Sequence, residues 1–150
     1  MKSILLFALL GIAGQSAFAQ AGSLTVLNST SCTVYYVITG SPMGTCTPGP
    51  MSTVITLAAG QSTTYSNSTA VPGFPPSPSF YLSAARAQSQ PASCTTPPII
   101  TVQVGEACTG LPAARAYPTY TSSCVLCNSG VHVEWTSAPA PGGAATLKFF

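Results

Sequence analysis

Short runs in which apolar and polar residues alternate, each closed by Gly, Pro, Ser or Asn, recur along most of this chain. A period of two sends successive side chains to opposite faces of an extended strand. Residues 24–28 (LTVLN) open the series. Residues 32–39 (CTVYYVIT) follow, with Cys32, Val34, Tyr36 and Ile38 on one face. Next come 53–57 (TVITL), a turn at AAGQ, and 62–66 (STTYS). Runs at 80–85, 99–104, 131–136 and 146–150 complete the pattern. Residues 111–121 give a mixed signal, because Pro118 interrupts them. No helical period appears beyond the first nineteen residues. About eight or nine short strands with Pro- and Gly-rich turns predict an all-β, antiparallel β-sandwich.

The last two runs specify their own register. If residues 131–136 and 146–150 pair antiparallel about position 141, Val133 faces Phe149 and Trp135 faces Leu147 on the apolar side. On the other side Glu134 faces Lys148, His132 faces Phe150 and Thr136 faces Thr146. One register satisfies both faces, as a half-buried hairpin requires. The stretch VPGFPPSPS at 71–79 reads as a rigid, extended surface loop, and APAPGG at 138–143 as the connection between the last two strands.

The N-terminus changes the account of where the domain begins. Lys2, the apolar run at 4–14 and the small residues Ala17 and Ala19 form the pattern of a cleaved signal peptide over 1–19. The run is too short to span a bilayer, which needs roughly 20 apolar residues. Residues 20–150 are then expected to form a single secreted domain, with no membrane span after cleavage. All six cysteines, Cys32, Cys46, Cys94, Cys108, Cys124 and Cys127, lie in that part. An even number in an exported chain predicts three disulfides, whose pairing the sequence leaves open. Beyond the leader only Arg86, Arg115 and Lys148 stand against Glu106 and Glu134, a net charge of +1. No two basic residues are neighbours, so nothing here is suited to tracking phosphates, and nucleic acid is set aside as a partner.

Candidate chemistry concentrates at 124–137, CVLCNSGVHVEWTS, which holds a CxxC pair, the only histidine, a glutamate and the only tryptophan. A redox CxxC needs a helix N-terminus to lower its thiol pKa, and the turn-like flanks TSSC and CNSG supply none. A zinc site would need a second ligand pair at short spacing, so no metal and no cofactor is expected. Glu134 has a structural explanation as the cross-strand partner of Lys148. With two carboxylates in all, one histidine and no GxSxG, no catalytic residue is assigned. The tyrosines Tyr35, Tyr65, Tyr81, Tyr117 and Tyr120 fall partly on the polar phase of their strands. Of these Tyr35, Tyr117 and Tyr120 are the candidate ligand contacts, able to stack on sugar or protein.

The cadence LTVLNSTSCTVYYVI followed by VITLAAGQSTTYS resembles the start of small secreted β-sandwich proteins of Bacteroidota, and loosely the opening strands of thaumatin-like domains. That resemblance implies a β-sandwich and export, and it transfers no functional residue. Together these readings predict a secreted or cell-surface, non-catalytic structural or adhesive protein. Its expected partners are copies of itself, an extracellular matrix or a polysaccharide. Self-assembly would run through a final strand near a sheet edge. The alternative is a carbohydrate-binding module using exposed tyrosines, and further behind stand a secreted hydrolase and a toxin.

Overall fold

A computed structural model describes residues 20–76 and 80–150. The expected leader over 1–19 and the end of the proline-rich loop lie outside them. Among the described residues nine strands form: β1 (Ser23–Asn28), β2 (Val34–Pro42), β3 (Ile55–Leu57), β4 (Ser62–Tyr65), β5 (Phe80–Gln88), β6 (Thr101–Gly105), β7 (Ala114–Tyr120), β8 (Leu126–Thr136) and β9 (Ala144–Phe149). They build two sheets, one ordered β4-β1-β9-β8-β7 and the other β3-β2-β5-β6. The all-β fold follows the alternation in the sequence. The expected last hairpin forms in its expected register, with Val133 opposite Phe149, Glu134 opposite Lys148, Trp135 opposite Leu147 and Thr136 opposite Thr146.

The inward phases of both sheets make one core. Leu24 and Val26 of β1, Val34, Tyr36 and Ile38 of β2, Leu82 of β5, Val104 of β6 and Leu147 and Phe149 of β9 are all fully buried. Each such side chain contributes about 1.5–3 kcal/mol by leaving water. The Tyr36 and Phe149 rings meet between the layers at 5.8 Å. Tyr36 Oη and Tyr65 Oη lie 3.1 Å apart and join the two sheets through a buried hydroxyl pair. Burial, then the Tyr65 hydroxyl, push the Tyr36 phenol well above its ordinary range.

Two features depart from the expected sandwich. First, β9 runs parallel to β1 over Ser23–Asn28 and Ala144–Phe149, so the sheet is not wholly antiparallel. A parallel neighbour requires a long crossover, and nearly the whole domain separates these two strands. Second, β9 is an interior strand, flanked by β1 and β8. The premise that the final strand lies near a sheet edge is therefore corrected. Short-range pattern shows that a strand exists but not which strands flank it. The edges actually present are blunted. β3 and β4 are only 3 and 4 residues long. β6 and β7 are tied across the layers, where Gly105 N donates to Pro112 O and Tyr120 N donates to Ser89 O.

The ambiguous stretch at 111–121 is the edge strand β7, and Pro118 sits where its register with β8 slips between Tyr117 and Thr119. An edge strand tolerates a proline at such an irregularity, since no ladder hydrogen bond is asked of it. The loop at 71–79 is less superficial than expected at its start, where Val71 is buried and Phe74 packs on the core.

Three disulfides staple the sandwich: Cys32–Cys127, Cys46–Cys108 and Cys94–Cys124, with Cα separations of 5.5–6.1 Å. They place the folded chain in an oxidising environment.

Candidate functional site

The stretch at 124–137 resolves into structure. Cys124 and Cys127 belong to different disulfides, so CxxC is not a dithiol pair but two staples of one hairpin. Cys124 takes a left-handed φ of 62° at the β7–β8 turn. That turn is closed by Thr121 N to Val125 O and Cys124 N to Thr121 O. His132 exchanges both backbone hydrogen bonds with Phe150 and stacks on its ring at 5.6 Å. The Lys148 ammonium also lies over that ring, 5.1 Å from its centre. Glu134 and Lys148 are direct cross-strand neighbours. Among the described residues no cluster of three or more His, Cys, Asp or Glu side chains could hold a metal ion.

The tyrosines divide differently from expectation. Tyr35 and Tyr117 are 4 % and 2 % exposed, so neither presents a stacking face. Tyr117 points into the core, and its buried hydroxyl has no partner there; burial pushes its phenol well above the usual range. Tyr35 lies on the outer phase of β2, and that face is itself covered, so burial raises its phenol too. Tyr120 stays partly exposed beside the β7–β8 turn. Alternation identified the phase of these residues, but what lies over that phase is a tertiary property.

The outer face of the four-stranded sheet holds the feature that the sequence did not reveal. Along β5 the core takes Ala85 and Ala87, so Ala84, Arg86 and Gln88 face outward. Register places Thr39 and Gly105 on either side of Ala84, and Val37 and Gln103 on either side of Arg86. Met51 pairs with Thr39 beyond that row. The small side chains at Ala84 and Gly105 leave a depression in the sheet. A Cβ at Gly105 would stand 2.8 Å from both Ala84 Cβ and Ser83 O, so glycine is required at that close approach. Ser83 itself is a bulge residue, set by the register shift between Thr39 and Gly40.

Two loops arch over this depression, and the Cys46–Cys108 disulfide joins them. The first is held by Gln20, a buried side chain whose Oε1 accepts from Gly44 N at 3.0 Å and whose Nε2 donates to Thr45 O. The second is a 3₁₀ turn at Ala107–Thr109. It is anchored by Glu106 N to Ser83 O at 2.8 Å and by Thr109 Oγ1 to Glu106 O at 2.6 Å. The space enclosed is a cleft of about 270 Å³, walled by Pro48, Met51, Ala84, Leu111 and the disulfide, with Thr39, Gln103 and Thr109 as polar points.

Arg86 lines that cleft, and its Nε is buried with no hydrogen-bond partner. Neither carboxylate of the domain meets it: Glu106 is 2 % exposed with Oε1 unpartnered, and Glu134 belongs to the other sheet. A buried N–H donor left without an acceptor is costly, although the Arg86 side chain as a whole stays partly exposed. The local sequence does not set this arginine apart. The tetrapeptide AARA occurs at 84–87 and again at 113–116. Arg115 stands exposed on edge strand β7, whereas Arg86 occupies the middle of a sheet. The strand expected at 80–85 is longer than expected, because β5 continues through Arg86 to Gln88.

A second surface is apolar. Ile99, Ile100, Val125 and Leu126 are 41–61 % exposed. They gather at one end of the sandwich, where Ser89 bonds both Ile100 and Tyr120 and Cys94 joins Cys124. No protein-family model, curated protein or solved structure matches the chain, so the assignment of function rests on these residues themselves.

Proposed function

We propose that this chain is an exported, non-catalytic binding domain that takes its ligand in the Arg86 cleft. The observation that carries the reading is the buried, acceptor-free Nε of Arg86 in the wall of a largely apolar recess. Few convergent polar groups in an apolar concavity are the usual composition of a ligand site. A buried donor left without an acceptor in the folded protein is a stability cost of the kind that functional sites retain. The scaffold suits the task, because the cleft floor is a sheet and its roof is cross-linked. Binding of this kind serves the adhesive role expected outside the cell. The absence of catalysis belongs to the same proposal. His132 and Glu134 lie on the face of the five-stranded sheet opposite its core, and no carboxylate stands against Arg86. Recognition of polysaccharide by tyrosines loses support, since of the three candidates only Tyr120 is partly exposed.

A methyl-detected NMR titration with a diverse set of small acids, amides and alcohols tests this reading. The methyl signals of Met51 and Leu111 should move first and saturate. Hits that move only Val125 and Leu126, or move nothing, would refute the cleft as the binding site.

A further inference from the structure

Resting on that reading, we infer that the ligand is a small aromatic or compact apolar monocarboxylate, its carboxylate paired with Arg86 and its body seated between Met51 and Leu111. Three properties of the cleft select this class.

The first is charge. Among the described residues Arg86 is the only cation lining the cleft, with Arg115 on β7 and Lys148 on β9 in the other sheet. One guanidinium neutralises one negative charge. A phosphate or sulfate dianion would bring a second charge into the recess with nothing to meet it, whereas a carboxylate is matched. The second is geometry. Arg86 lines the cleft, and a guanidinium fork presents two parallel N–H groups to the two oxygens of a planar carboxylate. A neutral amide or alcohol satisfies at most one of them and leaves the charge unpaired.

The third is size and lining. Pockets that enclose drug-sized molecules hold roughly 300–1,000 Å³, and this cleft of about 270 Å³ admits a single ring or a short branched chain. Pro48, Met51 and Leu111 supply apolar walls, and a methionine thioether packs favourably against an aromatic edge. Thr39, Gln103 and Thr109 leave room for one further polar substituent on the ring.

Benzoate and benzamide differ in charge but little in shape, and they separate the class of ligand from the existence of the site. Each is titrated into the intact, oxidised protein and into Arg86→Gln and Arg86→Lys, with Met51 and Leu111 methyl shifts as readout and Trp135 fluorescence as the check on folding. In the wild type benzoate should bind at least tenfold tighter than benzamide. Arg86→Gln should bring that ratio to about one. Arg86→Lys should keep a reduced preference, since an ammonium offers charge without the fork. Equal binding of the two probes to the wild type, or a benzoate preference that survives in Arg86→Gln, would overturn the carboxylate class and leave the cleft reading standing. If neither probe moves Met51 or Leu111, this inference falls as well. The cleft reading falls with it only if the wider set of small molecules also leaves those methyls unmoved.

Discussion

Replacing Asn28 should damage this fold more than any other single polar change on the β1–β2 turn, although the residue opens an Asn-Ser-Thr triplet that resembles a surface glycosylation site. Asn28 is 2 % exposed. Its Nδ2 faces three carbonyl oxygens, Cys32 O at 2.8 Å, Ala58 O at 2.9 Å and Leu57 O at 3.1 Å. Its Oδ1 accepts from Thr30 N at 3.1 Å and from Thr30 Oγ1 at 2.7 Å. Three acceptors fix which side of the amide is nitrogen. Because Nδ2 carries two hydrogens, two full bonds are shared among three acceptors. Asn28→Ala removes these bonds, at about 1 kcal/mol net each, and strands at least one buried carbonyl at about 1–3 kcal/mol. The expected loss is about 3–4 kcal/mol, or roughly 10 °C in Tm for a domain of this length. Asn28→Asp should be worse at neutral pH, because it turns an oxygen toward three oxygens in a buried site. Thermal unfolding followed by the fluorescence of buried Trp135 measures both. The reasoning is refuted if Asn28→Ala costs less than about 0.5 kcal/mol, the range of ordinary surface changes, or if Asp is tolerated as well as Asn.

Further outcomes follow from the same structure. Alkali should unfold the protein cooperatively: Tyr36 and Tyr117 have phenols raised by burial above the ordinary value of 10.0. Their stabilisation is complete below pH 10 and is lost as pH rises toward the folded values, at about 1.4 kcal/mol per pH unit for each group. An ultraviolet titration should show these two of the six tyrosines ionising only with unfolding; early, reversible ionisation of all six would contradict this. Among the disulfides Cys32–Cys127 closes the longest loop, 95 residues against 62 and 30. Its removal as a Ser/Ser pair should cost the most, about 4–5 kcal/mol by loop entropy, and a larger loss on removing Cys94–Cys124 would count against that ranking. Gly105→Ala should lower Tm and narrow the cleft, since the added Cβ meets Ser83 O and Ala84 Cβ at 2.8 Å; unchanged stability would show that the sheet yields there. Arg86→Met should leave the ligand-free protein as stable as the wild type or more so, because it removes a buried Nε donor that has no acceptor, and marked destabilisation would mean that Arg86 is structural.

Much of the fold was legible because alternation is a local property. CTVYYVIT, TVITL and VHVEWT declare their strands, and the charge pair Glu134–Lys148 together with Trp135–Leu147 fixes one register by itself. What remained hidden depends on neighbours distant in the chain. The parallel contact of β1 with β9 sets the order of the five-stranded sheet, and no pattern within either strand encodes it. Tyr35 occupies the polar phase of β2 and is buried all the same. Arg86 illustrates the same limit. Its neighbours in sequence are alanines, and only register brings it beneath loops that begin 40 residues earlier and 20 residues later. Within 124–137 the reverse holds. The residues with the most chemistry in the sequence are consumed by two disulfides, a ring stack and a cross-strand pair.

A crystal structure of the exported, oxidised protein grown with sodium benzoate tests the central claim most directly. The account expects the carboxylate within about 3 Å of the Arg86 guanidinium, with the ring against Met51 and Leu111 and the Cys46–Cys108 roof intact. An empty or collapsed cleft in which Arg86 has turned to pair with Glu106 would contradict it, for the charge would then have its partner inside the fold.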